Sequence, residues 1–145
     1  MRRPDRDLRP DSTAFSYYPR LSAVADYVRA HLTDRISLGV ASRVARLERK
    51  YFSTYFRSKV GISFSEWLRL LRVTRAKRLM EMGEASIPRV AFASGFRDVR
   101  TFERAFKRFV GVPPAVYRAS VRPESRQMSQ TSRRMPRAEA KGRAH

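Results

Sequence analysis

Arg100, Glu103, Arg104 and Lys107 stand three or four positions apart, so on a helix they share one face. With Val99 they hold what reading a DNA base edge requires. Arginine bonds guanine bidentately, glutamate accepts from the cytosine amino group, and valine touches a thymine methyl. About fifty positions earlier, Lys50, Ser53, Thr54 and Arg57 form a shorter version of the set, with Thr54 in the place of Arg104. The apolar residues between them turn both sets outward. Phe52 and Phe56, and again Phe102 and Phe106, are spaced i, i+4, and each pair makes a stripe that must be buried. Either face alone reads better as a solvated helix surface. The repetition, the charge of the chain and the length of the helix joining the copies together favour docking on a charged polymer.

No rival chemistry is visible. His31 and His145 are the only histidines, there is no cysteine and the carboxylates are scattered singly, so no metal-ligand set is visible and no disulfide or reactive thiol can form. His31 falls late in a helix, where a partial positive charge suits the macrodipole. No serine stands beside a base with an orienting third group, and no glycine-rich phosphate loop is present. The expectation is a protein that is not an enzyme and that needs neither cofactor nor metal.

Composition names the class of partner. A formal net charge of +19 on 145 residues favours a polyanion, with nucleic acid first and an anionic membrane second. No apolar run approaches the length of a membrane span. The opening MRRPDRDLRPDS lacks the apolar core of a secretory signal.

The elements that must position these faces follow from period and punctuation. The chain reads as all-α, with about seven helices and no strand. Residues 1–20, with Pro4, Pro10 and Pro19 among charges, read as a flexible arm. A first helix-turn-helix subdomain, 21–64, carries Val24, Ala25, Val28 and Leu32 at helical spacing. It continues through a short helix capped by Ser37 to the Phe52–Phe56 helix, closed by Gly61. Ser63 or Ser65 starts a linker helix, 65–82. A second subdomain, 83–118, has Ser86 and Asp98 as caps and Gly111 as a stop; Pro113 and Pro114 end it, and 115–118 form one last turn. Residues 119–145 hold seven basic and two acidic side chains without apolar period and read as a disordered basic tail. Trp67 and Tyr117 follow the two glycines at matching places. Each either caps the core of its subdomain or stacks on bases.

Residues 36–118 resemble the DNA-binding domain of AraC-type bacterial transcription regulators. The resemblance is carried by IPRVAFASGFRDVRTFERAFKRFVGVPPAVYR, with its Gly-Phe turn, its F-x3-F helix and its G-V-x-P-x-x-Y-R ending. SFSEWLRLLRVTRAKRLM is similar to the family's linker helix. The resemblance implies two helix-turn-helix subdomains whose recognition helices enter successive major-groove segments on one face of DNA. It places base contacts at Lys50, Ser53 and Thr54, and at Val99, Arg100, Glu103 and Arg104. It also implies activation through RNA polymerase. Two departures stand out. Arg46 and Glu48 occupy the places of a turn glycine and a serine cap, which predicts a first turn that is costlier or differently shaped. The sensing domain usual in the family has no counterpart in the arm, so a stand-alone DNA-binding domain is expected.

The resulting expectation is a sequence-specific DNA-binding regulator, monomeric on an asymmetric double-stranded site, cytoplasmic and nucleoid-associated. Its rivals are a nonspecific architectural nucleic-acid binder and a DNA-binding fragment of a longer ligand-sensing regulator. A membrane-active basic helix protein is disfavoured by the duplicated unit.

Overall fold

The computed structural model describes residues 9–84 and 86–121, and within them the chain is all-α. The helices are α1 (Ala14–Tyr17), α2 (Pro19–Ala30), α3 (Leu38–Ala45), α4 (Arg49–Val60), α5 (Phe64–Glu81), α6 (Ile87–Ala93) and α7 (Val99–Val110). A further helical segment, 114–121, runs to the last described residue.

Side chains start most of these helices. Ser37 accepts from the Val40 amide at 3.1 Å, Ser63 from Glu66 at 3.2 Å, Ser86 from Arg89 at 3.3 Å and Asp98 from Thr101 at 2.7 Å. Of the two serines before α5, Ser63 is therefore the cap. α4 begins on Glu48, whose two carboxylate oxygens accept from the Lys50 and Tyr51 amides at 3.0 and 3.1 Å. Pro19 opens α2 at a position where a missing N–H costs nothing.

The α3–α4 and α6–α7 turns share one hydrogen-bond pattern. Arg46 N–H donates to Arg43 and Leu47 N–H to Ser42; Gly95 donates to Phe92 and Phe96 to Ala91. Arg46 sits at φ 58, ψ 44, left-handed as the second turn's glycine is. The first turn thus keeps its shape and bears the strain of a non-glycine residue, rather than taking a different form.

Two aromatic cores result. The first gathers Leu21, Val24 and Val28 of α2, Ala41 and Ala45 of α3, Phe52, Phe56 and Val60 of α4, and Phe64, Trp67 and Leu68 of α5. The second gathers Val73, Ala76 and Met80 of α5 with Val90, Ala91, Phe96, Phe102, Ala105 and Phe106. α5 is therefore more than a spacer: its first half completes one core and its second half the other, and the changeover falls at Arg72. Trp67 is buried, with its ring 5.4 Å from Phe56, and Tyr117 packs on Phe106 at 5.5 Å, so both serve cores. His31, just past the end of α2, donates from Nδ1 to the Tyr27 carbonyl at 2.9 Å.

Residues 1–20 are not a flexible arm throughout. From Asp11 onward the segment is built into the first core: the Asp11 amide donates to the Val60 carbonyl at 2.8 Å, and Phe15 stacks on Trp67 at 4.8 Å. Burying Phe15 against Phe56 and Trp67 gives this short stretch the stabilisation that its own sequence lacks. At the other end the disordered tail is corrected for residues 119–121, which are helical. Pro114 is the first residue of that helical stretch, so it opens a helix there and does not merely end α7. The remainder of the arm, 1–8, and of the tail, 122–145, lies outside the described residues.

Candidate nucleic-acid interface

Phe52 and Phe56 in α4, and Phe102 and Phe106 in α7, are wholly buried, which fixes how each helix is turned. On α4 this leaves Lys50, Ser53, Thr54 and Arg57 exposed. On α7 it leaves Arg100, Glu103, Arg104 and Lys107 exposed. Val99 does not join them: it is half-buried against the second core. It lies three residues before Phe102, so it borders the apolar stripe, and its methyls pack there instead of facing outward.

The cations on these faces are uncommitted. Lys50, Arg57, Arg100, Arg104 and Lys107 make no ion pair among the described residues. Thr54 Oγ1 lies 3.5 Å from the Lys50 carbonyl, at the limit of a hydrogen bond, so its hydroxyl is also available.

Both exposed helices begin on a carboxylate. The Thr101 amide and then the Thr101 hydroxyl hold the Asp98 carboxyl below its ordinary range, with Arg104 contributing charge. The Lys50 and Tyr51 amides do the same for Glu48. A helix N-terminus is a natural phosphate seat, and here each is already filled by an anion of the chain itself. What each helix leaves open is the row of exposed side chains along its outer face.

One cluster escapes sequence reasoning. Arg69 of α5 joins Thr101, Arg104 and Arg108 of α7 along a groove of about 400 Å³. Glu66 holds two of these arginines: Arg69 Nη1 is 3.1 Å from Oε1 and Arg108 Nη2 is 3.0 Å from Oε2. The second contact is an ion pair only, for Oε2 is buried without hydrogen-bond geometry. Spacing of Arg104 and Arg108 at i, i+4 was a visible signal; the approach of Arg69 from another helix was not.

Known proteins share this architecture. The DNA-binding domain of AdpA, a global transcriptional factor solved in complex with a target DNA, is 32% identical; the match covers 74% of this chain and 97% of that domain, with a TM-score of 0.69. The C-terminal domain of AraT, a response regulator of Geobacillus stearothermophilus, is 26% identical over 71% of this chain and 86% of its own, with a TM-score of 0.66. Among whole proteins, the probable transcriptional regulator LumQ of Photobacterium leiognathi is 30% identical over 68% of this chain. A helix-turn-helix domain family matches residues 41–120, from within α3 to the final helical segment. The chain belongs to the AraC-type helix-turn-helix family.

The span shared with the AraC-type family contains all nine candidate residues and the whole of α5. The chain covers 40% of LumQ and 38% of YobQ, an uncharacterized HTH-type regulator of Bacillus subtilis that is 28% identical. Among the described residues no helix is long and apolar enough to cross a membrane, and no group of three acidic or histidine side chains could hold a metal ion.

Proposed function

We propose that this chain is a sequence-specific regulator of transcription that inserts α4 and α7 into successive major-groove segments on one face of double-stranded DNA. One observation carries the reading. Two helices, each fixed by a buried phenylalanine pair in its own core, present uncommitted cationic faces and are joined through one shared helix. The 18 residues of α5 span roughly 27 Å at 1.5 Å each, somewhat less than one ~34 Å turn of duplex.

The side chains divide by reach and chemistry. Arg100 and Arg104 bond guanine edges, Glu103 accepts from cytosine, and Thr54 offers a methyl to thymine with Lys50 and Ser53 beside it. Arg57 and Lys107, farther along their helices, hold phosphates, and so does the Arg69–Arg108 groove. The DNA complex of the AdpA domain supports this, because the likeness spans almost that whole domain. The protein acts as a monomer on an asymmetric site, in the cytoplasm at the nucleoid. It regulates through contact with RNA polymerase and carries out no catalysis.

Selection of binding sites from random duplexes tests the proposal. A two-part motif with centres about 10 base pairs apart is expected. Binding without enrichment of any motif would show an architectural protein held by charge alone.

A further inference from the structure

The seam between the two units is built around one arginine. Arg72 stands in α5 between Leu71, which packs on the first core, and Val73, which belongs to the second. Its half-buried guanidinium donates to two main-chain carbonyls of the loop after α2: Nε to Leu32 at 3.0 Å and Nη2 to Asp34 at 2.8 Å. The second unit closes over this contact. A Cβ added at Gly95 would lie 2.5 Å from the Leu32 oxygen and 2.7 Å from Arg72 Nε, closer than packed atoms come. Gly95, at φ +106, is thus required twice: by its left-handed turn and by the backbone pressed against it. The matching residue of the first unit, Arg46, is exposed, which explains how a long side chain is tolerated there and not here.

α5 itself runs unbroken through both cores; beside it, a second side-chain tie across the units is weaker. The Arg108–Glu66 pair joins α7 to the start of α5, yet Arg108 is largely exposed, and exposed ion pairs constrain little. Arg72 by contrast spends a partly desolvated charge on neutral acceptors, and burial lowers its pKa. Its rigid fork fixes direction as well as distance, which a lysine ammonium cannot do.

We infer that the Arg72–Gly95 seam sets the relative placement of α4 and α7, making Arg72 the positioning residue for the spacing between the two halves of the DNA site. This rests on the two-helix reading of DNA proposed above. One inserted base pair moves the second half-site by ~3.4 Å and turns it by about 35°. A locked seam cannot follow such a change, and a loosened one can.

The test uses the selected site and versions with one base pair inserted or removed between its halves, for the wild type, Arg72→Ala and Arg72→Lys. Lysine keeps the stem and the charge and serves as the second variant should alanine disturb folding. Wild type should lose at least about 30-fold in affinity on insertion, the value of one or two base contacts. Both variants should lose less than about 5-fold, with unchanged affinity for a single half-site. If wild type is strict and Arg72→Lys is equally strict, the seam does not set spacing. If wild type ignores spacing altogether, the two-helix reading itself falls, and this inference with it.

Discussion

Arg20 holds Arg46: its Nη1 donates to the Arg46 carbonyl at 3.0 Å and to that of Ala45 at 2.7 Å, bracing the left-handed turn from α2. A non-glycine residue there costs roughly 1–2 kcal/mol, and a glycine replacement costs ~0.5–1 kcal/mol in unfolded-chain freedom. Arg46→Gly should therefore raise stability by about 0.5–1 kcal/mol, while Arg20→Ala should lower it by about 1 kcal/mol. Denaturant titration of both variants measures this. A destabilised Arg46→Gly would mean that the Arg46 side chain does something beyond tolerating its backbone.

Phe106 fixes the outward face of α7. It is wholly buried between Phe102 and Tyr117, with ring centroids 5.6 and 5.5 Å away. Phe106→Ala should cost ~3–5 kcal/mol, and Phe109→Ala, half-buried, distinctly less. Thermal melts check it. Equal costs would mean that α7 is turned differently and that Arg100 and Arg104 do not point outward.

Acid should loosen α4 and α7 at their starts. Asp98 and Glu48 are held below their ordinary values of 3.8 and 4.5 by the amides that they cap. A lowered carboxyl stabilises the fold above its unfolded value and loses that contribution as pH falls through the folded one. The melting temperature should therefore drop below about pH 4, and Asp98→Asn, which keeps a good cap without the charge, should flatten the drop. An unchanged acid profile in Asp98→Asn would count against the assigned cap.

The alkaline side has the opposite sign. Burial first, and then its bond to Glu81, push the Tyr117 phenol from 10.0 up to about 12. Its contribution is complete below pH 10 and is lost as pH rises through 12. Tyr117→Phe should remove the part of alkaline unfolding that falls between those values. If the mutant's curve still matches wild type there, Tyr117 is not the group that titrates.

Much of this architecture was legible because it is local. A phenylalanine pair at i, i+4 followed by glycine states a helix, its buried side and its end within a dozen residues, and here it states them twice. Ser37, Ser86 and Asp98 likewise announce caps that bond only three residues away. What stayed hidden depends on distant partners. Phe15 belongs to a four-residue helix, too short to show a period, and gains its place only from Phe56 and Trp67. Arg72 bonds main-chain carbonyls some forty residues back, and carbonyls carry no sequence signature. The packing of Val99 on the second core stayed hidden too, because counting from Phe102 places it on the border between packed and exposed faces, where tertiary neighbours decide.

Arg104 carries the central claim, that these helices read sequence rather than charge. It is exposed, unpaired by any carboxylate within ion-pair distance among the described residues, and one turn beyond Arg100; its counterpart Thr54 is shorter and uncharged. The decisive measurement is site selection from random DNA repeated with Arg104→Ala and with Thr54→Ala, together with the salt dependence of binding. A bidentate arginine–guanine pair contributes ~1–3 kcal/mol of discrimination. Arg104→Ala should therefore lose preference at one base pair, in the more stringent half of the site, with the salt slope unchanged. Thr54→Ala should relax the other half only slightly. If Arg104→Ala instead weakens every sequence alike and lowers the slope of log K against log salt by about one, Arg104 holds a phosphate and the account of how α7 reads DNA is wrong.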